Sequence, residues 1–103
     1  MNNLLLLITT ESDIHRAENI ARKLIKRKLA ACVSIKEINS FYHWDDQIQH
    51  SKEFEISIKS TKENIKDLIC ILKKEISYEV PQFIYKIFES ERNYFEWVKN
   101  FVN

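Results

Sequence analysis

Hydrophobic positions change their period along the chain, and each change marks an element. Leu4 to Ile8 is an unbroken apolar run, which predicts a first strand covered on both faces. After a cap at Ser12 or Asp13, Ile14, Ala17, Ile20, Ala21, Leu24 and Ile25 recur at helical spacing. Arg16, Arg22, Lys23, Lys26 and Arg27 fill the other side of that helix and read as a solvated face. From Ala30 the period becomes two, with Ala31, Val33 and Ile35 on one side. Beyond Glu37 the phase slips, and Ile38, Ser40, Tyr42 and Trp44 share a face, which predicts a bulge near Lys36 and Glu37. Asp45–Asp46 reads as a two-residue hairpin turn. Phe54, Ile56 and Ile58 then alternate with polar residues in a returning strand.

A second helix follows a cap at Thr61, with Ile65, Leu68, Ile69, Leu72 and Ile76 as its apolar stripe. A fourth strand is expected from Val80 to Phe88, with Pro81 at its start. Ser90 is expected to cap a final helix carrying Tyr94, Trp97, Val98, Phe101 and Val102. The order is that of an α+β ferredoxin-like βαββαβ sandwich with a C-terminal helix, in one domain spanning residues 1–103. The middle hairpin, over about residues 30–44 and 47–60, is two to three times the usual strand length. One small sheet cannot pair all of it, so an extended β2–β3 hairpin is predicted to project. Its Ile38, Phe41, Tyr42 and Trp44 would be an aggregation hazard in a monomer, so burial against other copies is expected.

Composition narrows the function classes. Sixteen basic and fifteen acidic side chains give a net charge of +1, too little for a nucleic-acid partner. No apolar run approaches a membrane span or signal-peptide core, so a cytoplasmic protein without membrane contact is expected. Cys32 and Cys70 cannot build a disulfide framework and suit a reducing compartment. The chain contains no glycine, which excludes every glycine-built phosphate cradle. Thr9-Thr10-Glu11-Ser12-Asp13 is therefore no anion loop of the acylphosphatase kind. No acid/base pair or activated nucleophile can be placed by spacing, so no enzymatic activity is expected.

Several segments together resemble the CutA family of divalent-cation tolerance proteins. They are Ala17-Glu18-Asn19-Ile20-Ala21-Arg22-Lys23-Leu24 running into Lys28-Leu29-Ala30-Ala31-Cys32-Val33, then Phe41-Tyr42-His43-Trp44 with Ile48, and Ile58-Lys59-Ser60-Thr61. Tyr78-Glu79-Val80-Pro81 and Tyr94-Phe95-Glu96-Trp97-Val98 complete the set. The resemblance implies a homotrimer whose hairpins cross subunit boundaries, with a role in tolerance or binding of divalent metals, copper above all. Metal-binding members carry Cys and His where this chain has Thr9, Glu75, Ile76 and Ser77, and a hairpin Gly where it has Asp46. Soft copper needs thiolate or imidazole ligands, so only weak binding of copper or zinc is expected, with no certain cofactor.

Cys32, Tyr42, Trp44, Lys59, Tyr78, Glu79 and Trp97 are the residues expected to line an intersubunit pocket or to pack the trimer interface. As a pocket, aromatics with one Lys and one Glu would suit a small anion or metabolite. For a metal the candidates are Cys32, His43 and His50, the two imidazoles meeting on one face of the hairpin tip. Cys32 is expected to be shielded in a central strand and Cys70 to lie away from its helix's apolar stripe. Two readings of function follow: a trimer serving copper tolerance, or a ligand-sensing or protein-interaction trimer built around the pocket.

Overall fold

A computed structural model describes residues 2–103. The elements run β1 (Asn3–Glu11), α1 (Ile14–Lys26), β2 (Cys32–Trp44), β3 (Gln47–Ser60), α2 (Ile65–Glu75), β4 (Ile84–Glu89) and α3 (Arg92–Asn100), with a single 3-10 turn at Lys62–Asn64 before α2. The strands form one antiparallel sheet in the order β2-β3-β1-β4, the ferredoxin-like arrangement expected from the pattern.

The core lies between one sheet face and α1 with α2. Leu5 and Leu7 of β1 and Ile56 and Ile58 of β3 meet Ala17, Ile20 and Leu24 of α1 and Leu68 and Leu72 of α2. The helical and two-residue periods converge because both place one apolar side chain per repeat toward the same layer. The opposite sheet face is covered less fully than the run Leu4–Ile8 suggested. Leu4 is buried there, but Leu6 and Ile8 are half-buried, next to Lys86 and Ile84 of the edge strand β4.

Without glycine, other residues take the left-handed backbone positions. Lys28 follows α1 with φ 58°, its N–H donating to the Ile25 carbonyl while Leu29 N–H donates to Leu24. That paired closure satisfies carbonyls at the helix end, and the buried Leu24 and Leu29 accompany it. Asp45 and Asp46, at φ 53° and 60°, make the two-residue hairpin turn with the twist the strands need. Short polar side chains tolerate this region better than β-branched ones.

Four details differ from the pattern reading. First, no bulge interrupts β2: its ladder with β3 is continuous from Cys32↔Lys59 to Trp44↔Gln47. The phase slip instead records a change of environment. Val33 and Ile35 pack against the helix-covered core, while Ile38, Ser40, Tyr42 and Trp44 turn their shared face to the other side once the hairpin leaves the helices. Second, β4 begins at Ile84, so Val80 and Pro81 lie in the loop ahead of it. Third, Glu91 rather than Ser90 caps α3, its carboxylate accepting from Tyr94 N–H at 3.1 Å. Fourth, the Thr61 hydroxyl accepts from the Asn64 amide at 3.0 Å instead of capping the helix backbone. The α1 cap is Asp13, accepting from His15 N–H.

β1 also extends past Ile8 to Glu11, and the last residues carry an unexpected load of buried polarity. Glu11 is fully buried, with its carboxylate accepting from Ser77 N–H and Ser77 Oγ, both at 2.8 Å, and from Asp13 N–H at 3.0 Å. Thr9, on the same face, is also fully buried, and its Oγ1 has no hydrogen-bond partner. Glu11→Ala should cost about 1–3 kcal/mol, because it removes the buried acceptor that ties Ser77 and Asp13 to the end of β1. Thr9→Val should leave stability unchanged or raise it by about 1 kcal/mol, since it removes an unsatisfied hydroxyl. Urea unfolding of both variants at one fixed protein concentration checks the contrast.

Candidate functional site

The hairpin separates from the sheet where β1 ends. β1 pairs with β3 only as far as Glu11↔Phe54, so the pairs from Ile38↔Glu53 to Trp44↔Gln47 form a two-stranded ribbon. The ribbon helps stretch the molecule to 45 Å along its longest axis against 24 and 22 Å in the other directions. Phe41 is 68% exposed and Ile48 73%, values that decide the ribbon is uncovered within one chain.

At the base of the ribbon lies a groove of about 470 Å³, lined in part by Phe41, Tyr42, Trp44, Glu53, Tyr78 and Glu79. The β2–β3 register puts Tyr42, Trp44 and Glu53 on one face of the ribbon, and the loop after α2 brings Tyr78 and Glu79 against it. Tyr78 Oη donates to Glu53 Oε1 at 2.8 Å. Burial, and then the adjacent Glu53 carboxylate, push the Tyr78 hydroxyl well above its ordinary value, so it remains a donor. The loop is itself anchored by the preceding residue, Ser77, on Glu11. Tyr42 Oη and Ser51 Oγ lie 3.2 Å apart across the ribbon.

Cys32, Lys59 and Trp97 stand elsewhere. Cys32 and Lys59 are opposite each other at the far end of the β2–β3 ladder, beside α3. There Trp97 stacks with Tyr94, ring centroids 5.8 Å apart, and burial followed by the nearby Cys32 raises the Tyr94 hydroxyl's pKa. Within one chain the residues expected at an intersubunit pocket divide into two groups at opposite ends of one strand, so a pocket holding both groups would take them from different copies. At about 3.3 Å per residue, β2 separates Cys32 from His43 by about 36 Å.

The metal candidates divide in the same way. His43 faces Ile48, and His50 faces Phe41, so the two imidazoles are diagonal neighbours on one ribbon face, about 7–8 Å apart at Cα. The His50 ring stacks on Phe41 with centroids 4.2 Å apart and planes 1° from parallel. Among the described residues, no three of His, Cys, Asp and Glu gather closely enough to hold a metal ion. Cys32 is half-buried and Cys70 exposed, in the order expected for the two thiols.

The comparisons with known proteins agree with this architecture. The family profile described as CutA1 divalent ion tolerance protein matches residues 5–101. The chain belongs to the CutA1 family. It is 33% identical to the divalent-cation tolerance protein CutA of Thermotoga maritima over 100 residues, 96% of this chain and 99% of that protein. The solved structure of CutA from Synechococcus elongatus superposes with a TM-score of 0.95 at 31% identity, covering 100% of this chain and 93% of that one. The structure of the periplasmic divalent cation tolerance protein CutA from Archaeoglobus fulgidus gives 0.92 at 29% identity, covering 97% and 99%.

Within the CutA1 fold, the positions read above as family metal-ligand places have structural work here. Ile76 is in the core, Ser77 donates to Glu11, and Thr9 is sealed in β1. Glu75 pairs with Lys23 across α1 and α2, and Arg16 donates to its carbonyl at 3.2 Å. The hydrogen bond from Lys23 holds the Glu75 carboxyl below its ordinary 4.5 against the opposing effect of burial, helped by the charges of Lys23, Arg16 and Arg27. Glu11 is the residue that sequence reading missed. A lone acid at a strand end gives no periodic signal, and the only clue was an acid continuing an otherwise apolar strand.

Because the folded Glu75 pKa is depressed, its stabilisation is fully present above pH 4.5 and is lost as pH falls through the folded value. Both side chains of the pair are about one-third exposed, so a surface magnitude applies. Glu75→Gln should therefore cost about 0.2–1 kcal/mol at neutral pH and nothing in strong acid. Denaturation midpoints across a pH series check the converging curves.

Proposed function

We propose that the protein is a cytoplasmic homotrimer acting in divalent-cation tolerance, with copper as the cation it serves. Membership of the CutA1 family supports the role. The observation that carries the assembly is the two-stranded ribbon, whose Phe41, Trp44 and Ile48 are exposed with no third strand to support them. A lone two-stranded ribbon is marginal in water, so its stable form needs a cover, and neighbouring copies supply one. Further apolar side chains, Ile84 and Phe88 on β4, Trp97 on α3 and Phe101 just after it, are also exposed and extend the surface available for burial. Two free cysteines accord with a reducing compartment, although the Archaeoglobus relative is described as periplasmic. No helix is long and apolar enough to cross a membrane.

A resident copper or zinc ion does not fit the donors of one chain. A closed zinc site needs four ligands, and His43 and His50 supply two, one of them stacked on Phe41. Cys32 is too distant to join them. Metal contact is therefore weak and draws any further ligands from neighbouring copies. A second reading, a trimer that senses a small ligand, is favoured by the groove beside Tyr78 and Glu53, where aromatic and polar groups converge.

Light scattering at micromolar concentration should give the trimer mass, with dissociation and unfolding in one transition. Trp44→Ala should weaken assembly, since truncating a packed aromatic costs about 3–5 kcal/mol. A folded monomer would defeat the proposal. Calorimetry with copper and zinc should show binding no tighter than micromolar, lost in the protein carrying both His43→Ala and His50→Ala. Nanomolar binding that survives both substitutions would put the metal elsewhere.

A further inference from the structure

Charge is divided unevenly along the chain. Residues 14–28 and 62–75, which hold α1 and α2, carry ten of the sixteen basic side chains and four of the fifteen acidic ones. The remaining residues carry six basic and eleven acidic side chains, so a nearly neutral protein has one strongly positive layer. Arg22, Lys26 and Arg27 at the end of α1 are exposed, and so are Lys66, Lys73 and Lys74 on α2. None of these six belongs to an ion pair among the described residues, where the layer's one pair joins Lys23 to Glu75. The basic side of α1 read alone as a solvated face; the fold sets the α2 lysines in the same layer.

This layer lies away from the surfaces that assembly would cover. α1 and α2 pack their apolar stripes on one face of the sheet, so their outer sides point away from the opposite, half-covered sheet face. The ribbon, β4 and α3 expose aromatic and aliphatic side chains, whereas the helix layer exposes charge, which is depleted in the core of interfaces. Among the described residues, Ile25 is the one large exposed hydrophobe on these two helices.

Unpaired positive charge alone would attract any anion, but two shallow depressions narrow the choice. One, of about 510 Å³, sets Ile69 and Cys70 among Lys66, Lys73 and Lys74. The other, of about 340 Å³, sets Ala21, Ile25 and Val33 beside Arg22 and Lys26. Concave apolar linings receive side chains, whereas a surface that enters a lipid headgroup layer presents an apolar face to bury there. Glu18, Glu63 and Asp67 interrupt the positive charge, which disfavours a continuous phosphate backbone more than a chain with spaced charges. We infer that the outer face of α1 and α2 docks an acidic polypeptide segment of another protein, its Asp and Glu side chains meeting the arginines and lysines while apolar side chains between them enter the depressions. The inference goes beyond the cation-tolerance reading and does not depend on it, since every named residue comes from one copy.

The test uses a fluorescein-labelled peptide of five Glu-Glu-Leu repeats on the full-length protein, with Gln-Gln-Leu and Glu-Glu-Ser repeats of equal length as controls. Fluorescence anisotropy at low salt should show micromolar binding of the first and none of the uncharged peptide. The serine peptide should bind about fivefold or more weakly, because burial of each leucine is lost. In the unmodified protein, added salt should weaken binding progressively, a readout independent of any variant's folding. The protein carrying Arg22→Gln, Lys26→Gln, Lys66→Gln and Lys74→Gln should bind about tenfold or more weakly. Arg92→Gln with Lys99→Gln, at exposed positions of α3, should leave binding unchanged. Light scattering on the same samples reports the trimer, so a failure of assembly is distinguished from a failure of the surface. Equal binding of the serine peptide would reveal ionic adsorption alone, and tighter binding of phosphatidylserine vesicles or duplex DNA would give the face a lipid or nucleic-acid partner. Either result would overturn the inference, as would absence of Glu-Glu-Leu binding or its indifference to the fourfold substitution.

Discussion

Much of the molecule's geometry depends on one buried carboxylate. Glu11 ends β1 inside the fold, and its oxygens hold the loop before α1 through Asp13 and the segment after α2 through Ser77. The end of β1, the turn into α1 and the distant segment after α2 are thereby fixed to one point. Burying an ionised group is costly unless donors surround it, and three short hydrogen bonds from two partner residues meet that requirement. The consequence reaches the surface. Tyr78 follows Ser77 directly, so the clamp determines where the Tyr78 hydroxyl stands relative to Glu53 and how the groove is walled.

The fold was legible because its periods were clean. Helical spacing through Ala17, Ile20 and Leu24 and alternation from Phe54 to Ile58 each placed apolar groups on a single face, and those faces meet in the core, while Ile25 at the end of the helical stripe is exposed. The hairpin was legible for a different reason: two long alternating segments joined by two residues that tolerate left-handed backbone leave few other arrangements. What misled was the phase slip in β2. A bulge and an inversion of environment produce the same one-residue shift in sequence, and only the unbroken ladder separates them. The slip marks the point where the helices stop covering the strand.

The site was less legible, for reasons of distance. Cys32, Lys59 and Trp97 sit at one end of the β2–β3 ladder and Tyr42, Trp44, Tyr78 and Glu79 at the other. The register within one chain separates these two groups, and a pocket expected between copies is not decided by that separation. Capping errors were of a smaller kind. Ser90 and Glu91 are adjacent acceptors, and the choice between them turns on one backbone dihedral that composition does not determine.

Separating the two groups changes the electrostatic character of each. Within one chain the ribbon groove is lined by aromatic residues with Glu53 and Glu79, and Lys59 lies at the other end of β3. The same division strips the hairpin-tip imidazoles of a thiolate, leaving two donors where a soft metal needs more. Residues at the places associated with metal in the family have meanwhile been drawn into packing, an ion pair and the Glu11 clamp. A chain built this way retains the fold's groove while its strongest metal-ligand chemistry is diluted.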